Sequence, residues 1–428
     1  MRLRTLVVLA ITSFVPACIV HVHDGSVQTI GLAEPLSATA QRETELPLAL
    51  SAGQKLELST KTGSVVVRAG GAASPRARAK LTMNARDDEE ARTALERFDV
   101  AAVETLDGWK LEVRGEPLVV HSGTQRIELT PRVDFELDLP AGVRLDARSG
   151  SGDLSATGAL AATLLETNYG SIAADGVRGA LTASTKSGAV RVARVEGDLE
   201  ARSSYGSVEA ADISGSKIVV ASSSGNVALR GARAESINAE TKYGSVEVRD
   251  ARGALVAKSG SGNVTGEALE GATLLLHSNY GQIAVRGAKG ALDLHSSSGN
   301  VRISEGEGAL KAHSNYGALE AEGVWNSVQA SSSSGTVAVR ALGGSARTGE
   351  WSLSSGYGSV KLAVPDDFTC ALDAVTNYGS ASCAFPVTIE AGARSKDGRL
   401  VGQIGNGGPR VTLRSKSGDV VLDKLRSQ

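Results

Sequence analysis

Hydrophobic residues recur at fixed distances from a glycine through most of the chain. Large apolar side chains occupy the positions seven before and two after almost every anchor glycine, and apolar and polar residues alternate around them. Alternation with a period of two predicts short strands that bury one face. The buried phase shifts by one residue at each anchor, which predicts a corner or a bulge there. The regular anchors, 18 or 19 residues apart, are Gly152, Gly170, Gly188, Gly206, Gly225, Gly244, Gly262, Gly281, Gly299, Gly317 and Gly335.

A repeat of this length is typical of a solenoid. Looser copies are centred on Gly358, Gly379 and Gly418, and an isolated early copy contains Gly63. We therefore predict an all-β fold, a parallel β-helix or β-solenoid of 18–19-residue repeats. The sequence before the regular repeats predicts a small N-terminal cap that is α+β or rich in β-strands.

The residue before the anchor alternates between Ser and Tyr, and Asn226, Asn263 and Asn300 follow three alternate anchors, 37 residues apart. Stacked β-structures gain from like side chains on like, so this alternation favours coils of about 37 residues. A Tyr ladder would then run along one side and a Ser-Gly-Asn ladder along the other. The alternative is an 18-residue coil whose corner alternates Ser and Tyr. Fourteen anchors from Gly152 give an axis of roughly 35 Å for the long coil and roughly 65 Å for the short coil.

A hydroxyl side chain stands three residues before each anchor. A small hydroxyl beside a corner can satisfy backbone groups that a narrow core leaves unpaired. A catalytic serine is a single residue with a base beside it, so a column of ten favours a structural role. The members are Thr167, Thr185, Ser203, Ser222, Thr241, Ser259, Ser278, Ser296, Ser314 and Ser332.

The first residues have the pattern of an export signal. Arg2 and Arg4 precede an apolar stretch, Leu6 to Val15, that is too short to span a bilayer as a helix. The stretch ends in Val-Pro-Ala-Cys, which resembles a bacterial lipobox and implies that Cys18 is lipidated. Ordinary signal-peptidase cleavage with secretion, or a membrane anchor, are the alternatives. Ile19 after the cysteine resembles the pattern of outer-membrane lipoproteins.

The three cysteines fit this interpretation. With Cys18 lipidated, Cys370 and Cys383 remain as a pair, and in an exported chain such a pair predicts a disulfide. A disulfide closing so short a loop would stabilise the fold by about 3 kcal/mol. The alternative is a pair of buried free thiols.

These observations predict five segments. Residues 1–17 are a signal peptide, 18–45 a lipid anchor and tether, 46–147 an N-terminal cap, 148–363 the solenoid, and 364–428 its C-terminal end and cap. Within the first cap, the acidic run from Asp87 to Glu90 favours a helix N-terminus, with Ala91, Ala94, Leu95 and Phe98 on one face. Strands are predicted at Trp109 to Val113 and at Val133 to Leu139. Such a cap would cover the first open edge of the array.

Composition narrows the function classes. The net charge is −2, with 45 basic and 47 acidic residues well mixed, so no nucleic-acid partner is predicted. Aromatic residues make up only 4% while glycine numbers 50, which favours a thin, layered β-structure. No phosphate-binding loop, zinc helix or nucleophile elbow occurs, and the acidic residues of the repeats scatter over different columns. We therefore expect neither an enzyme nor a bound cofactor.

His277, His295 and His313 all lie four residues before an anchor, in an outward phase. In short coils the three imidazoles would stack and could share a zinc or copper ion. In long coils only the first and last would be neighbours. Local duplication of a surface residue explains the set equally well, so no metal site is predicted.

Two stretches resemble a known family. VDFELDLPAGVRLDARSGSGDL, from Val133 to Leu154, resembles the entry to the repeats of the putative-adhesin family of bacterial β-strand-repeat proteins. The closing NYGSASCAFPVTIEAG and LVGQIGNGGPRVTLRSKSGDVVL resemble its C-terminal end. A related group is described as the head domain of autotransporter adhesins. The resemblance implies a β-helical exported protein with an adhesive role and supplies no catalytic residues.

The resulting hypothesis is an exported, lipid-anchored β-solenoid that acts without catalysis, as an adhesin-like binding protein or a structural protein of the cell envelope. Its partners would be the membrane, through the lipid, and a surface ligand, protein or glycan. The expected location is the outer membrane or cell surface, with a periplasmic or secreted protein as the alternative. Two other functions stay open. One is a polysaccharide lyase or hydrolase on a β-helix, and the other is a periplasmic scaffold or sensor in an envelope-stress system.

Overall fold

Each repeat forms one coil of a parallel β-solenoid in the computed structural model of the protein, which describes residues 20–23, 26–29, 36–70, 75–122, 125–346, 349–389 and 398–425. Strands pair in parallel with the strand 18 or 19 residues further along the chain. Leu181 pairs with Leu199, and Ile237 pairs with Leu255. The fold class predicted from the sequence is confirmed.

The predicted coil of about 37 residues is wrong, and the 18-residue alternative is correct. The apolar columns explain why. Positions seven before and two after the anchor are apolar in Ser repeats and Tyr repeats alike, with Thr163 as the exception, so each repeat can stack its buried side chains on the next. The alternating Ser and Tyr lie at an exposed corner, where like-on-like stacking gains too little to set the coil length. Fourteen short coils span about 65 Å.

The described residues form 34 strands and one helix. The N-terminal part contains β1 Val20–His23, β2 Ser26–Thr29, β3 Ala38–Pro47, β4 Lys55–Thr62, β5 Val65–Ala69, β6 Arg76–Ala85, α1 Asp88–Glu96, β7 Phe98–Thr105, β8 Gly108–Gly115, β9 Leu118–Ser122, β10 Gln125–Leu129 and β11 Arg132–Leu139. The solenoid continues with β12 Arg144–Ser151, β13 Leu154–Gly158, β14 Thr163–Tyr169, β15 Ile172–Asp175, β16 Leu181–Thr185, β17 Val190–Glu196, β18 Leu199–Ser203, β19 Val208–Ser214, β20 Lys217–Ser222, β21 Val227–Thr241, β22 Val246–Ser259, β23 Val264–Ser278, β24 Ile283–Ser296, β25 Val301–Ser314, β26 Leu319–Ser332, β27 Val337–Ala341, β28 Glu350–Ser355 and β29 Val360–Val364. The C-terminal part contains β30 Cys370–Thr376, β31 Ala381–Cys383, β32 Arg399–Ile404, β33 Arg410–Ser415 and β34 Val420–Lys424.

The anchor glycines form a column in which successive backbones almost touch. A Cβ built on any anchor from Gly170 to Gly358 would lie 1.8–2.3 Å from the carbonyl oxygen of the anchor one coil earlier. The φ angles of these glycines are not positive, so conformational freedom is not what the position requires. It requires space, because no side chain fits between two coils at this corner.

The column of hydroxyls holds this corner together. Ser278 donates to the carbonyl oxygen of Gly262 one coil earlier and accepts the N–H of Gly281 in its own coil, both at 2.9 Å. It is 0% exposed, so both backbone groups would otherwise be buried without partners. The predicted structural role is confirmed. The same two bonds recur at Thr185, Ser203, Ser222, Thr241, Ser259, Ser296, Ser314, Ser332, Ser355 and Ser415.

A second corner lies six residues after the anchor and turns through left-handed backbone. Its φ angles lie between 51° and 96° from Gly158 to Glu305. Five of the residues there carry side chains, although left-handed backbone costs an L-residue about 1–2 kcal/mol. They are Arg194, Asp212, Asp250, Ala268 and Glu305.

The isolated early repeat around Gly63 is the first coil of the solenoid. Strands β4 and β5 pair in parallel with β12 and β13, and Ser149 donates to the carbonyl oxygen of Gly63 at 2.9 Å. Residue 147, the predicted cap boundary, lies within β12 of the second coil. Residues 38–45, the last part of the predicted tether, lie in β3, which pairs antiparallel with β6.

The rest of the N-terminal region pairs with the strands of the first coil. Helix α1 is capped by Asp87, whose carboxylate accepts the N–H of Glu90 at 2.8 Å, and it buries Ala91, Ala94 and Leu95. Strand β11 pairs with β5 on one side and β6 on the other, and β8 pairs with β4. The open edge of the array is thereby paired within the chain.

The C-terminal end of the solenoid does not follow chain order. Strands β33 and β34 pair with β28 and β29 on one side, and with β30 and β31 on the other. The coil around Gly418 is thus inserted between those around Gly358 and Gly379. Strand β32 then pairs antiparallel with β30. The predicted C-terminal end and cap is a returning coil and a hairpin.

Gly281→Ala is expected to reduce the free energy of unfolding by about 3 kcal/mol or more, because its Cβ would lie 2.1 Å from the carbonyl oxygen of Gly262. The matched control is Gly287→Ala at the left-handed corner, where no atom lies closer than 3.8 Å to the added Cβ. That variant should lose only about 1 kcal/mol of backbone strain. Thermal and denaturant unfolding followed by circular dichroism would measure both. Equal losses would contradict the steric explanation.

Ser278→Ala should lower the unfolding free energy by about 1–3 kcal/mol, because the N–H of Gly281 and the carbonyl oxygen of Gly262 lose their partner. Ser278→Thr keeps the hydroxyl and matches the residue found in the same column at Thr241. The same unfolding measurements should place it within about 1 kcal/mol of the native protein. A threonine variant as unstable as the alanine variant would show that volume, not hydrogen bonding, governs this position.

Candidate binding surface

All seven tyrosines of the chain lie in one column, immediately before an anchor glycine. Every one of them is exposed, with 65–80% of its surface accessible. The large aromatic residues Trp325, Trp351 and Phe135 are instead fully buried. The hydrophobic core therefore uses other aromatic residues, and packing of the core does not explain why the tyrosines are present. The column comprises Tyr169, Tyr205, Tyr243, Tyr280, Tyr316, Tyr357 and Tyr378, and we call it the tyrosine column.

Serine separates the tyrosines, so that a ring projects from every second coil. The coils between carry exposed serines, among them Ser187, Ser224, Ser261 and Ser298. Strands in a sheet are about 4.8 Å apart, so neighbouring tyrosines are about 9.6 Å apart along the axis. Seven tyrosines on alternate coils therefore cover about 58 Å.

The inserted C-terminal coil preserves this alternation. In chain order Tyr357 and Tyr378 are consecutive, and the simple order of repeats would place them on adjacent coils. The coil that comes between them in space carries Ser417 at the same position. Its anchor, Gly418, accepts a hydrogen bond from Thr376 of the Tyr378 coil at 2.8 Å, and Ser415 donates to Gly358 at 2.9 Å. The alternation is thus a property of the folded surface and not only of the repeat sequence.

The residues next to the column are mostly uncharged hydrogen-bonding groups. The predicted Ser-Gly-Asn ladder does not exist, because Asn226, Asn263 and Asn300 lie on alternate coils. Each side-chain oxygen instead accepts a backbone N–H of the next coil at 2.9 Å, from Ser245, Gln282 and Ala318 in turn. These exposed amides keep their N–H groups on the outside. The corner therefore presents aromatic rings, hydroxyls and amides together.

The faces on either side of this corner carry ion pairs between successive coils. Arg302 contacts Glu320 at 2.8 Å, and Lys311 contacts Asp293 at 3.1 Å. Such exposed pairs contribute little stability each. Further pairs between coils are Arg148–Glu166, Arg191–Glu209, Arg249–Glu267 and Arg340–Glu322.

A shallow groove of about 470 Å³ crosses the face after the corner, lined by small residues such as Ala193. Its carboxylates are paired with arginines, Asp175 with Arg194 and Glu209 with Arg191 at 3.7 Å. Glycoside hydrolysis needs two carboxylates free to transfer a proton and to attack or activate water. In this groove both of these carboxylates have an arginine partner, and one oxygen of Asp175 is buried without a hydrogen bond.

The three histidines lie on adjacent coils and stack. Ring centroids are 4.9 Å apart between His277 and His295, and 5.1 Å apart between His295 and His313. The ring nitrogens of His277 and His313 are 2.9 Å from the side-chain oxygens of Asn279 and Asn315. No group of three His, Cys, Asp or Glu side chains in the described part of the chain converges on a metal position. Stacked, nearly parallel rings direct their nitrogens alongside one another instead of toward one point.

Both later cysteines are free thiols in this structure. Burial raises the pKa of the Cys370 thiol to about 12, and the nearby Cys383 adds to the effect. Burial also raises the pKa of Cys383. The predicted disulfide is not formed here, and the pairing stays a prediction. The signal peptide and Cys18 lie outside the described residues.

The chain matches the Toastrack DUF4097 family over residues 53–265 and again over 251–423. It belongs to the Toastrack DUF4097 family. The two matches together extend from the first coil to the returning coil at the C-terminus. The resemblance seen in the sequence is confirmed at the level of this solenoid family, whereas a relation to autotransporter head domains stays a prediction.

Two solved structures are similar to this Toastrack chain in part. A "putative cell adhesion protein" from Clostridium sporogenes is 8% identical, covers 90% of this chain and 100% of its own, and gives a TM-score of 0.17. A "putative lipid binding protein" from Parabacteroides distasonis is 11% identical, covers 91% and 98%, and gives a TM-score of 0.18. At these scores neither structure bears on what this chain binds. None of the curated proteins matches it.

Within the described ranges, no helix of this Toastrack protein is both long and apolar enough to cross a membrane. The sequence predicts a stacked tyrosine ladder, whereas the structure places the rings on alternate coils. Their uniform exposure and alternate spacing could have been expected only from the short coil. The sequence does contain a signal for this surface, because every tyrosine occupies the same position of the repeat.

Stability should fall at acid pH because of the histidine stack. Burial, and then the charges of His277 and His313, hold the pKa of His295 below its ordinary value, with Lys311 acting in the same direction and Asp293 opposing it. A histidine with a lowered pKa in the folded state contributes fully above the unfolded pKa of about 6.5, and that stability is lost as the pH falls below it. Melting temperatures at pH 7.5 and pH 5 would measure the loss.

The matched variant for this measurement is His295→Ser, since Ser331 occupies the same column beside His313. It should show a smaller fall in melting temperature between the two pH values than the native protein. An equal fall would assign the acid sensitivity to other groups.

Proposed function

We propose that this Toastrack protein is an exported, lipid-anchored and non-catalytic adhesin-like protein of the cell envelope, which binds its ligand along the tyrosine column. The observation that carries the proposal is the exposure of all seven tyrosines, at 65–80%, on one corner of the solenoid. A side chain that buries so little of its surface contributes little to folding. Its recurrence in a row is more readily explained by contact with a partner.

Tyrosine, serine and asparagine are suited to such a surface. A tyrosine ring provides a large, stiff contact area with little loss of conformational freedom, and its hydroxyl can hydrogen-bond at the same time. Serine and asparagine provide adaptable donors and acceptors. Repetition adds many weak contacts, so a long ligand can bind firmly although each coil contributes little.

A non-catalytic role is supported by the ion pairs that the carboxylates form. Those in the described groove, Asp175 and Glu209, are paired with arginines. The repeated buried hydroxyls are engaged on both sides by backbone groups, as Ser278 is. A nucleophile needs a base beside it and an open approach for substrate, and these hydroxyls have neither.

Lipid anchoring follows from the lipobox-like sequence before Cys18 and would place the solenoid close to a membrane. Oxidation of Cys370 and Cys383 in an exporting compartment would then fasten the last coil. Lipidation and disulfide formation both require that the chain leaves the cytoplasm.

Protease treatment of intact cells, followed by mass analysis of the protein that remains, tests the location. We expect the solenoid to be digested from the outside, and the mature chain to begin at a lipid-modified Cys18. A cytoplasmic protein that survives treatment is the control for cell integrity. A lipidated chain that stays intact in whole cells would contradict surface adhesion and favour a periplasmic scaffold.

A further inference from the structure

We propose that the tyrosine column binds an extended β-1,4-linked polysaccharide, with one disaccharide of the glycan per two coils of the solenoid. This inference rests on the proposed binding function and names its ligand class. It is carried by the spacing of the rings, the chemistry between them and the preservation of the alternation at the C-terminal end.

The spacing of the tyrosines suits this ligand. The stacked histidines on successive coils, 4.9 and 5.1 Å apart, show the rise per coil on this side of the solenoid. Tyrosines on every second coil are therefore separated by about twice the strand spacing of 4.8 Å. In an extended β-1,4-linked glycan each sugar is turned over relative to the last, so every second ring presents the same face. The distance between such rings is close to that between these tyrosines.

The chemistry of the column also fits a sugar chain. The C–H groups on one face of a pyranose pack against an aromatic ring, while its hydroxyls need hydrogen-bond partners. Tyr280 and Tyr316 supply exposed rings, and the coil between them supplies the exposed Ser298 and Asn300. The amide of Asn300 keeps its N–H groups available because only its oxygen is engaged, by the N–H of Ala318.

The returning coil at the C-terminal end shows that the tyrosine intervals are regular for a reason other than duplication of repeats. Simple duplication of repeats in chain order would leave Tyr357 and Tyr378 on adjacent coils. The returning coil with Ser417 separates them, so that the last interval equals the others. A ligand with a fixed repeat along its length accounts for equal intervals, whereas a ligand that only adheres to aromatic surface does not require them.

The chain offers a well-matched variant, because serine is the native residue of this column on alternate coils. The triple variant Tyr243→Ser, Tyr280→Ser and Tyr316→Ser removes three successive rings, which is the number that a hexasaccharide would contact. A second variant, Tyr280→Ser with Ser298→Tyr, keeps the number of tyrosines and changes only their intervals. Circular dichroism and melting temperature would verify that both fold as the native protein does.

Calorimetric titration of the purified protein with chitohexaose and cellohexaose measures binding, and the α-linked maltohexaose is the control ligand without the extended repeat. We expect the native protein to bind at least one β-linked hexasaccharide and to bind maltohexaose much more weakly. The triple variant should lose about tenfold or more in affinity. The variant with altered intervals should also bind more weakly. Native affinity in that variant would overturn the spacing argument.

Adhesion of protein-coated beads to bacterial and eukaryotic cell surfaces separates this inference from the proposed function. Beads that adhere through the tyrosines, with no binding of either β-linked hexasaccharide, would overturn the glycan inference and leave the binding function standing. Tyrosine-dependent dimers in ultracentrifugation would likewise overturn it, in favour of a second copy as the partner. Beads that adhere to no surface, with no glycan bound, would overturn both.

Discussion

The close approach of successive backbones at the anchor corner is the constraint on which the rest of this structure depends. At that corner a Cβ would lie as close as 1.8 Å to a carbonyl oxygen of the neighbouring coil, so the position admits only glycine. The glycine N–H and carbonyl groups then need partners, and a buried hydroxyl three residues earlier bonds to one from each coil. Spacing, register and hydrogen bonding are thereby fixed together at every coil.

Fixed register turns each outward position of the repeat into a line of side chains along the axis. On the faces these lines carry charges that pair between coils, as Arg302 does with Glu320. At the anchor corner the line carries tyrosine and serine, which form no ion pairs between coils. The same backbone therefore separates a solvated charged surface from a mostly uncharged aromatic one, without any change of fold.

The sequence was sufficient to predict what the core and the local backbone determine. The strands, the hydroxyl column and the helix capped by Asp87 follow from burial and capping, which act over a few residues. The alternation of Ser and Tyr does not predict the coil length, because stacking of like side chains stabilises little at an exposed corner. The order of the last coils could not be predicted, since the repeats around Gly379 and Gly418 fit either order equally well locally. The left-handed backbone at Ala268 has no sequence signal either, because alanine, unlike glycine, does not favour that conformation.

The returning coil also determines when the protein can be completed. Strand β30 has its solenoid neighbour only after residues 410–415 have been made, so the last two coils cannot close during synthesis of the chain that precedes them. A chain that stops after Val364 would present an unpaired parallel edge, which is prone to association with other strands. Residues 410–424 therefore pair with the coil before them and with the coil after them, and a chain that lacks them keeps an open parallel edge on β28 and β29.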